Sequence, residues 1–409
     1  MNRLVLIGNG FDLAHNLKTS YRGFFYWYWE YRFIDIYKEG INTSTDILCS
    51  FTTLAYESWY YFMFYNKVRL SSMNGEQLYK MLSDKNQFII KCSPFFDRIR
   101  NSVETKGWVD IENEFYELLK KYALDNASEA QIDNLNAQLH YLQELLVEYL
   151  KSIEISESLL KTDIRQKIYA PFIKQDISIE GQWALKDHIE SGFKRDSIEW
   201  RWLSELYGYK GLSNYEVDEY RQKYEKDKDV LNGEEPPLEL MLPNQIMLLN
   251  FNYTHTADIY CKKGDIFTVN HIHGDLDAPK SVIFGYGDEL DDDYKTIVNK
   301  NENKFLGNIK SIKYLESDNY RRLLSFIKSE PYQVLIMGHS CGNSDRTLLN
   351  TLFEHKNCVS IKPYYHQIDE EHDDYIKIVQ NISRNFTDMK LMRDRVVNKT
   401  YCEPLTRKQ

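Results

Sequence analysis

The chain has 409 residues, 61 acidic against 51 basic side chains and a net charge of −10, with 43% hydrophobic and 27% charged residues. That is ordinary globular composition and long enough for a large core or two to three domains, which excludes a disordered chain. The acidic balance argues against a broad, sequence-independent nucleic-acid surface.

At the start, Leu4 to Ile7 predicts a buried strand running into Gly8-Asn9-Gly10 and a helix. Glycines at such a turn let backbone N–H groups approach a phosphate, although Leu13 stands where a full G-x-G-x-x-G would have its third glycine. Asp12 would repel a phosphate placed on it, so it is assigned to a ribose hydroxyl or to helix capping. No basic start and long apolar run precede this strand, so a cytoplasmic protein is expected. The aromatic run Phe51 to Tyr65 is broken by Glu57 and too short to cross a membrane.

Residues 21–65 hold eighteen aromatics, a density that predicts a packed helical core, with a base-stacking surface or a partner face as the alternative. The segment WVDIENEF, Trp108 to Phe115, groups Asp110, Glu112 and Glu114, which reads either as an acidic helix start or as acid–base or metal-binding carboxylates. From Ile132 the apolar positions Leu135, Leu139, Leu142, Leu146, Tyr149 and Ile153 step by three and four, predicting a helix packed lengthwise on another, with an intramolecular hairpin preferred over a coiled coil with a second chain. Tyr224 to Leu240, with Gly233 and Pro236-Pro237, reads as a linker.

Short aliphatic runs follow: Ile246 to Leu249, Phe267 to Val269, Val282 to Phe284, Val334 to Met337 and Val359 to Ile361. Each is followed by glycine, asparagine or histidine, as buried parallel strands with functional loops are. Helical patterns at Asn343 to Phe353 and Asp373 to Asn385 lie among them. The expected fold is an α/β, Rossmann-like parallel sheet. Residues 1–20 and 241–409 build it, and residues 21–240 form a helical insertion with few strands.

Chemistry concentrates in the loops after these runs. LLNFNYTHT, Leu248 to Thr256, packs neutral amides and hydroxyls that can bind sugar hydroxyls, with turn and cap roles equally open to Asn250 and Thr254. In VNHIHGDL, Val269 to Leu276, a strand would put His271 and His273 on one face as a metal site needs, with His255 and Asp275 as further ligand candidates. A single catalytic histidine, His273 before Gly274, is preferred. VLIMGHSCGNSD, Val334 to Asp345, contains G-x-S-x-G around Ser340, which fits a nucleophile elbow served by His355, His366 or His372 and Asp369 or Asp373. The preceding helical stretch argues against a hydrolase of that fold, and Ser344 or Asp345 fits a helix cap. Six scattered cysteines without C-x-x-C suggest reduced thiols and no zinc knuckle.

LVLIGNGFDLAHNLKTSY, WVDIENEF, LLNFNYTHT, HIHG, FGYGDE and MGHS…SD, in this order, resemble the blocks of the bacteriophage abortive-infection AbiH family over nearly the whole chain. That resemblance implies defence of bacteria against phage, with a phage component as trigger. Gly8 and Gly10, Asn252, His273, and Gly338 with Ser340 also resemble, in order, the cofactor loops of sirtuin-like NAD-consuming domains. Thr254 replaces that family's acid, Asp12 stands near its serine, and its four-cysteine zinc module is absent. This second resemblance implies NAD as substrate, Asn252 and His273 as catalytic residues, and Gly8, Asn9, Gly10, Asp12, Thr254, Gly274, Gly338, His339, Ser340 and Asp345 around the cofactor. No metal is expected and a homo-oligomer stays open. A metal-dependent nuclease built on His271, His273 and the Asp110, Glu112, Glu114 acids, and a phage sensor without enzymatic activity, are the alternatives.

Overall fold

Burial of both faces explains why the sheet strands read as unbroken aliphatic runs, since an all-parallel sheet is covered on each side. The computed structural model describes residues 1–39, 42–54, 73–153, 155–195, 197–209, 212–227, 235–262, 266–287 and 289–406. Its strands, in chain order, are β1 (Asn2–Ile7), β2 (Thr43–Thr45), β3 (Cys49–Thr53), β4 (Phe88–Cys92), β5 (Ile246–Asn250), β6 (Phe267–His271), β7 (Tyr332–Met337) and β8 (Cys358–Tyr364). The chain divides into two compact units, one of residues 1–16, 155–275 and 314–409, the other of residues 17–154 and 276–313.

The first unit holds a five-stranded parallel sheet in the order β6-β5-β1-β7-β8. Val5 of β1 is in register with Leu248 on one side and Leu335 on the other, and every residue of β1, β5, β7 and β8 is buried. Val5, Ile7, Leu248, Leu335, Met337 and Val359 pack with Ile164, Ile168, Leu185, Ile189, Trp200 and Leu203 from helices between residues 162 and 207. Residues 155–240 thus group with the sheet. Because all five strands run the same way, the loops after β1, β5, β6 and β7 share one edge, the carboxyl edge where open α/β sheets bind ligands.

The second unit is built on helices Tyr21–Glu39, Ile111–Leu124 and Glu129–Lys151. The stepped positions Ile132, Leu135, Leu139, Leu142, Leu146 and Tyr149 are all buried, and their helix packs on the other two within the chain. Phe24, Phe25, Tyr28, Trp29 and Phe33 are buried, with Phe25, Trp29, Tyr79 and Phe96 meeting ring to ring. Part of the aromatic stretch, residues 55–65, lies outside the described residues, as does the centre of the expected linker, residues 228–234.

Two expectations are corrected here. Strands β2, β3 and β4 form an antiparallel sheet inside the region expected to be helical, with Phe51 opposite Ile90. Val282 to Phe284 is no strand: the run is buried in an irregular segment of the second unit, where the Val282 carbonyl accepts from Gln143. Among the described residues no helix is long and apolar enough to cross a membrane.

Candidate active site

The glycines after β1 serve a close backbone approach. Gly338, after β7, has φ +75°, and a Cβ there would sit 2.0 Å from the Phe11 nitrogen. The Gly10 N–H donates to the Gly338 carbonyl at 2.8 Å and the Phe11 N–H to the Gly8 carbonyl at 2.8 Å. These loops are therefore seated back to back. The Gly10 and Phe11 amides are spent within the protein, so the close-approach role of glycine is met by a second loop of the same chain. Asn9 between them is exposed.

Asp12, one turn into helix Asn9–Ala14, is buried and accepts a 2.6 Å hydrogen bond from the Thr254 hydroxyl. Burial raises its carboxyl to about 6, opposed by hydrogen bonds from Thr254, Thr256 and Asn252. The two departures from the sirtuin-like pattern thus meet each other: the carboxylate and the hydroxyl bond across the β1 and β5 loops.

After β5, the buried Asn250 organises the loop. Its Oδ1 accepts from the Asn252 N–H at 3.1 Å and its Nδ2 donates to the Thr254 carbonyl at 2.9 Å. Asn252 donates its own side-chain amide to the Gly8 carbonyl at 3.0 Å, tying the β5 loop to the β1 loop. In sequence a sugar-hydroxyl contact and a turn or cap role are equally open to Asn250, and its hydrogen bonds here are those of the turn role.

His273 is buried beyond β6, with Gly274 in the left-handed region (φ +78°) and donating to the His271 carbonyl. The His273 Nε2 lies 3.3 Å from Asp345 Oδ1 and 3.2 Å from the Tyr314 hydroxyl. On the other side of the carboxylate, His339 Nε2 is 3.6 Å from Asp345 Oδ2. His339 Nδ1 accepts the Cys341 N–H at 3.0 Å, so the His339 proton sits on Nε2, toward Asp345. Phe251 packs against both imidazoles, with ring centroids 5.3 and 4.1 Å away. A buried carboxylate beside the His273 imidazole can support positive charge on that ring and so serve general acid–base chemistry, with the His339 Nε2–H turned to its second oxygen. Asp345 was read in sequence as a cap or cofactor contact; only the fold brings it to His273, 72 positions earlier.

Other expected constellations are not assembled. Ser340 is exposed, and its neighbour His339 is committed to Cys341 and Asp345. Asp369 pairs with His372 on an exposed turn, and Asp373 pairs with Lys399. Among the described residues none of His355, His366 and His372 is hydrogen-bonded to Ser340, whose carbonyl accepts from Asn381. His271 and His273 do not share a site either, because β6 ends at His271 and a turn sends His273 to Asp345 while His271 turns to Asp258. Asp110 caps helix Ile111–Leu124 through the Asn113 N–H. Glu112 accepts from Lys310 at 3.1 Å and from the Gly285 N–H at 3.0 Å, and Glu114 from Arg98 and Ser102. Each of these acids is bonded to different partners within the second unit.

A family model described as bacteriophage abortive infection AbiH matches residues 4–366. No curated protein and no solved structure matches the chain, so the likeness to sirtuin-like domains rests on its motifs alone. The match runs from the first strand to just past β8 and takes in every loop of the site described above, and on it the chain belongs to the bacteriophage abortive-infection AbiH family.

Proposed function

We propose that this protein is an effector of phage abortive infection that acts in the cytoplasm by hydrolysing the nicotinamide–ribose bond of NAD or of a related nucleotide. The observation that carries the reading is Asp345 held between His273 and His339 at the sheet edge that also presents Asn252. Support also comes from strand order: numbered along the chain within the sheet, β6-β5-β1-β7-β8 is 3-2-1-4-5, the order of doubly wound dinucleotide-binding sheets, with its switch point between β1 and β7.

In this reading Asn252 orients the nicotinamide ribose or the attacking water. Water forms a bond to the anomeric carbon as the carbon–nitrogen bond breaks, and nicotinamide leaves neutral. His273 takes the water proton on the nitrogen turned away from Asp345, and the Asp345 carboxylate stabilises the imidazolium. No metal takes part in these steps.

The test expresses wild type, Asn252→Ala and His273→Ala in cells challenged with phage and follows NAD, nicotinamide and total RNA. Wild type is expected to lose NAD as nicotinamide appears, and His273→Ala to slow this by about 10²–10⁴-fold, the usual worth of general acid–base catalysis. Constant NAD with cut RNA would assign the site to a nuclease. Alanine variants that protect like wild type would leave the sheet edge a scaffold and the protein a sensor.

A further inference from the structure

Two imidazoles and a carboxylate unused in the chemistry above meet at the same sheet edge. His255 opens the 3-10 turn His255–Tyr260 after β5, Asp258 lies one turn on, and His271 ends β6 in register with Asn250. One ligand atom from each of the three lies within 4.8 Å of the others. His271 Nε2 is 3.1 Å from Asp258 Oδ2, and His255 Nδ1 is 3.4 Å from the same oxygen. The His255 and Asp258 side chains reach solvent, which gives an ion a path in. Two nitrogens and one carboxylate oxygen suit late first-row divalent metals and leave positions for water. We propose that His255, Asp258 and His271 form a site for a divalent transition metal such as Zn²⁺, and that Asn250 gates it.

The gate follows from hydrogen-bond bookkeeping. The Asn252 N–H fixes Asn250 Oδ1 and the Thr254 carbonyl fixes Asn250 Nδ2, so an NH₂ group faces His271 Nδ1 at 3.2 Å. His271 Nδ1 is then the acceptor, and its proton lies on Nε2, toward Asp258. A metal needs the Nε2 lone pair. The proton must move to Nδ1, the ring staying neutral, and Nδ1–H needs an oxygen where the NH₂ now stands. Turning Asn250 Oδ1 to that position releases both the Asn252 amide and the Thr254 carbonyl. Metal binding and the ordered Asn252 loop therefore compete.

The experiment titrates the full-length protein, freed of metal by chelation, with Zn²⁺ by calorimetry and with Co²⁺ by visible absorption. Wild type binds one metal per chain. His255→Ala and His271→Ala lose it. Asn250→Asp offers His271 Nδ1 an oxygen whichever way it turns, and binds about 10–100-fold tighter, the usual effect of an outer-shell partner on a ligating histidine. No binding by wild type, or binding that survives His271→Ala, overturns the site. Unchanged affinity in an Asn250→Asp variant that keeps its circular dichroism overturns the gate. Nitrogen-15 shifts of His271 in metal-free wild type check the gate without any substitution: a proton on Nδ1 overturns it. These readouts need no NAD turnover, so failure of the NAD reading leaves them standing.

Discussion

Asp12 shows what burial does to a carboxylate whose partners are hydroxyls and amides and no cation. Its folded value of about 6 lies above the 3.8 of the free side chain. The neutral form is therefore favoured by the fold. Its contribution is fully present below pH 4 and is lost as pH rises to 6, where ionisation destabilises the fold by about 3 kcal/mol. Asp12→Asn keeps an acceptor for Thr254 and removes the charge. It is expected to flatten the stability profile between pH 4 and 6 and to stabilise the protein at pH 8 by about 1–2 kcal/mol, read by urea unfolding at each pH. Asp345 is the opposite case, with an imidazole on each side. If His273 is the base, Asp345→Asn should lower kcat about 100-fold with little change in KM, because the imidazolium it supports exists only as the proton moves. A structural carboxylate would instead lower stability and leave kcat. In sequence His273 stands out from its own loop, whereas Asn252 is singled out only through the sirtuin-like resemblance. Their partners are not legible there. Asp12 with Thr254, and His273 with Asp345, meet through parallel strand order, which no local spacing records.

At the scale of elements, sequence patterning found the five strands of the parallel sheet, of which β1, β5, β7 and β8 are buried throughout and β6, at the sheet's edge, is half-buried at three positions. Each contains an expected apolar run. The missed strand β3 alternates buried with half-exposed residues, β4 is buried only at Phe88 and otherwise half-exposed or exposed, and Cys-Ser-Phe-Thr-Thr offers too few aliphatic positions to stand out. Val282 to Phe284 misled for the converse reason: a short apolar run shows burial and not conformation. Loop contacts between elements carry a prediction of their own. Because Gly338 has positive φ and no room for a Cβ against the Phe11 nitrogen, Gly338→Ala must both adopt a disfavoured backbone and part the β1 and β7 loops. A loss of about 2–4 kcal/mol in unfolding free energy is expected. An alanine tolerated within 0.5 kcal/mol would show that the loops are not pressed together in solution.

For the whole molecule, the division into two units, each drawn from separated stretches of chain, sets how it should unfold. The sheet unit has an aliphatic core on β1, β5 and β7, while the other packs the stepped helix Glu129–Lys151 and an aromatic cluster. Separate cores argue for separate cooperative transitions. The boundaries at residues 16, 154, 275 and 313 escape a reading by composition because no glycine- or proline-rich linker marks them. Each unit offers a handle. In the second, Lys310 and Glu112 form a buried ion pair at 3.1 Å, with Gly285 on the same carboxylate and Tyr116 stacked on Tyr286 at 3.9 Å. Glu112→Ala removes the carboxylate that faces the buried ammonium of Lys310 at 3.1 Å and should cost about 3–5 kcal/mol. In the first, Asp12→Asn shifts stability the other way at pH 8. Differential scanning calorimetry of wild type is expected to resolve two transitions, with Glu112→Ala lowering one and Asp12→Asn raising the other. If one transition moves as a whole with either substitution, the two cores unfold as a single cooperative body and the AbiH chain is one folding unit despite its two cores.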